Sequence, residues 1–258
     1  MFRASLPRYA AIALALALGG TSAARAQDTT TTAKWENTVT LYGWAAALSG
    51  SMGIRVLDVS VDVPFSDILD NLKGALMFNY TGRGERLVAG TDFIYMDLGS
   101  DLSTPNTNTP LAEVRLKQWL IEGDVGYRVT PWMDALLGVR IPVIEGEIIP
   151  DGNVPAISER SRTESWVAPL IGARVMLPAT RHLTVVGRGD LGGFGLGGTN
   201  NTWQAAGYLN YAFGKGWSAS LGYRAISADY ATGTEGQPDY FKYDVTSSGG
   251  VLGVSFTF

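Results

Sequence analysis

Leu252-Gly253-Val254-Ser255-Phe256-Thr257-Phe258 closes the chain with large apolar residues at alternate positions, small or polar ones between them, and an aromatic at the last place. Successive side chains of a strand point to opposite faces. Leu252, Val254, Phe256 and Phe258 therefore share one face, and Gly253, Ser255 and Thr257 the other. Such a strand separates an apolar medium from a polar one, and the other end of the chain indicates which apolar medium is meant.

Residues 1–26 read as an export signal: Arg3 and Arg8 form a positive start, residues 9–20 an apolar run, and Ala24-Arg25-Ala26 a small-x-small cleavage site with Ala24 and Ala26 at its key positions. The run is too short to cross a membrane, which takes about 20 residues. Removing Arg3, Arg8 and Arg25 leaves 17 basic against 24 acidic side chains, a net charge of −7, and argues against nucleic acid as a partner. There is no cysteine to staple an exported domain. No later apolar run is long enough for a spanning helix, so insertion into a membrane has to be by strands closed into a barrel.

The organisation expected is a signal peptide (1–26), a flexible Thr-rich lead-in (27–35) and a barrel (36–258). Beyond residue 35, four short breaks (82–85, 130–131, 178–181, 214–216) alternate with five longer polar ones at roughly 50–74, 98–112, 146–163, 193–201 and 229–240. Outer-membrane barrels have short periplasmic turns and long external loops. The pattern predicts ten strands, at about 36–49, 75–83, 86–97, 113–129, 132–145, 164–177, 182–192, 202–213, 217–228 and 241–258, with both ends periplasmic. Counts of eight and twelve are the neighbouring solutions. Residues 51–63 alternate like a strand but are read as the flank of the first external loop. The fold class is thus all-β, a transmembrane antiparallel up-and-down barrel of about ten strands.

Parity separates lipid from lumen. Leu137, Val139 and Ile141 oppose Asp134 and Arg140, and Leu183, Val185 and Leu191 oppose Arg188 and Asp190. A charge facing lipid at mid-depth costs about 2–4 kcal/mol, so the charged parity points inward. This gives five acids (Asp92, Glu122, Asp124, Asp134, Asp190) and five bases (Arg128, Arg140, Arg174, Arg188, Arg224) as lumen-lining residues. They are either a structural ion-pair network filling the barrel or a narrow polar conduit whose charges set selectivity. Trp119, Tyr127, Trp132, Trp166, Trp203, Tyr211, Phe213 and Trp217 suit aromatic girdles at the membrane interfaces.

In the first external loop, residues 64–74 read as a short amphipathic helix with Phe65, Ile68, Leu69 and Leu72 on one stripe, opened by Pro64 and ended by Gly74. The stripe either packs on the barrel rim or covers the lumen. The external loops are acidic (Asp58, Asp62, Asp67, Asp70, Asp101, Glu147, Asp151, Glu159, Asp229, Glu235, Asp239), which makes a solvated rim or, through divalent cations, a contact with lipopolysaccharide phosphates.

No catalytic, cofactor-binding or metal site is expected. The single histidine, His182, falls at a periplasmic turn with no base or nucleophile assigned beside it. Gly187-Arg188-Gly189-Asp190-Leu191-Gly192-Gly193 lies on a strand and opens no helix, so it is no phosphate loop. No His/Cys cluster offers a metal site.

The signal with Ala24-Arg25-Ala26, the alternating strands and the terminal Val254-Ser255-Phe256-Thr257-Phe258 resemble the superfamily of small Gram-negative outer-membrane β-barrel proteins. More narrowly, Leu41-Tyr42-Gly43-Trp44, Asp62-Val63-Pro64-Phe65-Ser66-Asp67-Ile68-Leu69 and Asp92-Phe93-Ile94-Tyr95 resemble a group of uncharacterised proteobacterial barrels. The resemblance implies residence in the outer membrane and insertion by the barrel assembly machinery, with Phe256 and Phe258 in the assembly signal. It implies no cofactor and no substrate. No peptidoglycan-binding domain of the OmpA type follows the last strand. Two functions stay open: a narrow passive pore for small solutes, and a closed structural or surface-interaction barrel whose acidic loops meet lipopolysaccharide or other partners.

Overall fold

The computed structural model describes residues 35–54, 57–103, 110–150 and 160–258; the signal peptide and most of the lead-in lie outside them, as do Asp151 and Glu159. Ten antiparallel strands close into a ring: β1 (Glu36–Ile54), β3 (Leu72–Arg83), β4 (Leu87–Ser103), β5 (Pro110–Thr130), β6 (Met133–Pro150), β8 (Ala168–Pro178), β9 (Leu183–Gly192), β10 (Thr199–Ala212), β11 (Trp217–Thr232) and β12 (Phe241–Thr257). Two further strands, β2 (Leu57–Val63) and β7 (Arg160–Ser165), lie outside the ring, on the outer ends of β1 and β6. Residues 51–54 and 57–63 are therefore paired strand segments rather than a loop flank, and β6 pairs with β7 in the same way at the 146–163 connection. Several strands also run further at their outer ends than the hydrophobic pattern indicates, β11 to Thr232 and β4 to Ser103, while β8 starts later than expected, at Ala168.

The ring closes between its first and last strands, from Thr38 opposite Thr257 to Ile54 opposite Phe241. That seam requires glycine at 249: a Cβ there would lie 1.8 Å from the Ala45 carbonyl oxygen. Gly216, in the tight turn before β11, has φ +79°, a region that favours glycine.

The outer surface has the expected parity. Leu41, Val125, Leu137, Ile171, Leu191, Leu221, Leu252 and Val254 are all exposed, from opposite sides of the ring. A ring closed from first strand to last pairs most of its backbone internally, and an apolar outward belt is stable only against hydrocarbon. This is an outer-membrane type of β-barrel. At the short-turn end Tyr127, Trp132, Tyr211, Phe213 and Trp217 are exposed together as an aromatic girdle. Trp166 is not part of a girdle. It is buried inside, stacked on Tyr230 with ring centres 4.2 Å apart. Its even number puts it on the parity of Arg174, so the strand pattern itself directs it inward.

The helix of the first external connection, α1 (Phe65–Asp70), is shorter than the sequence suggests. It ends at Asn71, and Leu72 already belongs to β3. Of the apolar stripe Ile68 is buried, while Leu69 is exposed. The phase of the stripe switches from helix to strand before it completes a second turn.

Candidate functional site

Alternation along each strand fills the lumen in layers. The ionic layer comes first above the short turns. Arg140 of β6 is 1% exposed and reaches three other strands: Nε donates to Glu122 Oε2 (2.9 Å), Nη1 to Thr202 Oγ1 (2.9 Å) and Nη2 to Asp190 Oδ1 (2.8 Å). Arg188 bonds Glu122 and sits 3.3 Å from both Asp124 Oδ2 and Asp190 Oδ2. Arg174 meets Asp124 at 3.4 Å. Gln204 links the two sides, donating to Asp190 Oδ2 at 3.0 Å and accepting from Arg224 Nε at 2.9 Å. Arg224 then pairs with Asp92 at 2.6 Å, and both bond the Tyr42 hydroxyl, which donates to Asp92 Oδ1 at 2.8 Å. One connected network thus runs from β1 and β4 across to β5, β6, β8 and β9. Nearer the short turns, Asp134 lies between Arg83, at 3.1 Å, and Arg128, at 3.9 Å.

All ten charged residues singled out from the sequence face inward, and each has an oppositely charged neighbour within 4.0 Å. Sequence reasoning missed Arg83, which it had assigned to a turn, as well as Tyr42, Thr202 and Gln204. Arg83 shares the parity of Asn79 and Thr81, and Tyr42 that of Thr40; those parities were the available signal.

The next layer is apolar. Two residues further along the same strands, Tyr42 gives way to Trp44, Asn79 to Met77, Asp92 to Ile94, Glu122 to Leu120 and Arg224 to Ile226, and these side chains pack together. Beyond them Ile144, Trp166, Tyr230, Phe241, Tyr243 and Val245 form a second apolar cluster, joined by Met52 and by Val61 of β2. Between the layers lies a cavity of ≈60 Å³. Thirteen of its sixteen lining residues are apolar, Arg140 contributes to its floor, and Ile68 of α1 lines it from the outer connection.

His182 is exposed in the turn between β8 and β9, where its ring lies near Tyr211, centres 6.3 Å apart. Among the described residues no helix is long and apolar enough to cross a membrane, and no group of three or more His, Cys, Asp or Glu residues has metal-binding geometry.

The chain matches no protein-family model and no curated protein. Among solved structures, the outer membrane protease OmpT of Escherichia coli is 8% identical, with a TM-score of 0.51 over 90% of this chain and 99% of that one. Ail, the attachment invasion locus protein of Yersinia pestis, is 11% identical, with a TM-score of 0.38 over 87% and 98% of the two chains. A Pseudomonas aeruginosa FadL homologue is 9% identical, with a TM-score of 0.35 over 87% and 90%. At these identities the likeness is one of fold, and OmpT alone of the three reaches a TM-score that supports it. A likeness of fold carries no activity with it.

Proposed function

We propose that this outer-membrane barrel is closed to ions and polar solutes, and that it works at the outer surface rather than as a pore. The observation that supports this reading is the burial of Arg140, bonded at once to Glu122, Asp190 and Thr202 from three other strands. A guanidinium held by three partners across the lumen supports a plugged interior. Parting it from two carboxylates would leave uncompensated charge in a confined space, which costs several kcal/mol. A conduit of the kind built from rings of charge keeps those charges hydrated and singly engaged. The parts free to meet a partner are then at the outer rim: the paired ends of β1 and β2, those of β6 and β7, and the acidic side chains Asp58, Asp62, Asp67 and Asp70 around α1, which suit cation-bridged contact with lipopolysaccharide phosphates. Phe256 and Phe258, side by side on the outer face with ring centres 6.0 Å apart, fit the assembly signal.

The test is single-channel conductance of the refolded chain 27–258 in a planar bilayer, with folding verified by heat-modifiable gel mobility. Silence is expected. Reproducible steps whose ion selectivity changes in Arg140→Gln or Arg188→Gln would replace this reading with the narrow pore.

A further inference from the structure

The barrel wall is not continuous beside the apolar cavity. β1 pairs with β3 over six positions, from Glu36 opposite Arg83 to Leu41 opposite Phe78, where the ladder stops. Over residues 42–47, β1 is paired with β12 alone; at Leu48 it takes up β2, opposite Val63. On the other side, residues 72–77 of β3 are paired with β4 alone. Six residues of each strand thus border a seam, and α1 stands at its outer end, the carbonyl of Asn71 just after it accepting from the Gly99 N–H of β4 at 2.9 Å. Unpaired strand edges at lipid depth are costly and occur where the backbone lines a cavity or is covered by protein. Here they border the cavity: Trp44 and Ala46 from one edge, Met77 from the other and Ile68 from α1 all line it. On the outward parity of the same seam, Gly43 and Gly74 have no atom within 4 Å of the position a Cβ would take, so the wall is thin there. With strands rising about 2.5 Å per residue along a tilted barrel, the seam lies about 15–28 Å above the short-turn end, within the outer leaflet.

The cavity itself suits a ligand. One water-sized sphere needs about 10–15 Å³, so ≈60 Å³ admits about four to six, room for one compact small molecule. A cavity lined mainly by apolar side chains favours an apolar occupant over water. Arg140 at its floor is already fully bonded within the ionic layer, so no charge is left to claim a counter-charge from the ligand. We propose that the cavity is a binding site for a compact, uncharged apolar molecule that reaches it from the outer leaflet through the seam between β1 and β3. The ionic layer beneath stops the ligand, so the site is filled and emptied on the same side.

Benzene is a suitable probe, with the protein in lipid nanodiscs and ¹³C-labelled at its methionine methyls. Met77 and Met96 line the cavity; Met133 and Met176 sit at the short-turn end. Saturable shifts at Met77 and Met96, absent at Met133 and Met176 and abolished in Ala46→Phe, are expected. Non-saturable or uniform shifts at all four methyls, or Ala46→Phe binding as tightly as the parent, would overturn the site. For the route, the cysteine-free chain permits Ala45→Cys with Gly74→Cys, residues that would face each other if the ladder continued, joined by a short bis-maleimide. Joining them should slow benzene association at least tenfold, read by methyl relaxation dispersion, with the dissociation constant unchanged. An unchanged association rate would overturn the route. These readouts are independent of conductance, so a silent bilayer experiment does not decide them.

Discussion

The inner half of the lumen, near the short turns, is held by charge and the outer half by apolar contact, and the change takes place over two residues of each strand. Where Asp92, Glu122 and Arg224 cross-link the wall, every group has at least one charged partner. Where Ile94, Leu120 and Ile226 follow them, a cavity of ≈60 Å³ persists. The difference lies in the directionality of the two interactions. A buried guanidinium or carboxylate tolerates no gap, because an unmet hydrogen bond on a charge is severely unfavourable, so the ionic layer fixes the mutual placement of six or more strands. Apolar contact has no direction. Its penalty for a void scales with the void's size and can be borne, and that is what leaves room for a ligand.

Substitutions in the two halves should separate these behaviours. Arg140→Ala leaves Glu122 and Asp190 with Arg188 as their one remaining cation, and we expect a loss of about 3 kcal/mol in urea unfolding from lipid, the largest of the set. A loss under about 1 kcal/mol would mean that water already compensates these carboxylates, which would erase the contrast. Leu120→Ala truncates an apolar side chain in the next layer, where the residue already borders a cavity and has fewer contacts to lose. About 2 kcal/mol is expected, at the low end for such truncations. A loss equal to that of Arg140→Ala would show that both halves are equally taut. At the rim, Lys242 and Asp58 lie 3.5 Å apart with Asp58 largely in solvent, and Asp58→Asn should move stability by no more than a few tenths of a kcal/mol. A larger effect would make the β1–β2 pair a structural part of the barrel rather than an extension of it.

The contrast between halves also explains what could be read from the sequence. In the inner half one face of each strand is charged and the other apolar, so parity was visible, and Arg140, Arg174, Arg188 and Asp190 could be directed inward without a structure. In the outer half both faces are apolar. Phe93-Ile94-Tyr95-Met96 gives no contrast, so neither the apolar layer nor its cavity could be seen, and Trp166 was taken for a girdle residue. Above the membrane the contrast vanishes for the opposite reason. β7, Arg-Ser-Arg-Thr-Glu-Ser, has water available to both faces, so its strand character leaves no apolar period. The seam was invisible because pairing is a property of two strands, and neither β1 nor β3 has a local break where their ladder ends.

One earlier feature bears on how such a molecule comes into being. The ring is fastened by its first and last strands, and Thr38 bonds Thr257 at a sequence separation of 219. No part of the wall is complete until the final strand has arrived, so a chain emerging from its N-terminus cannot fold piecemeal as it is made. Every earlier stage presents open strand edges to its neighbours, the condition under which chains aggregate. The closing seam therefore sets a timetable: the whole polypeptide has to be delivered unfolded and kept apart from its own kind, and the architecture becomes stable in its last step.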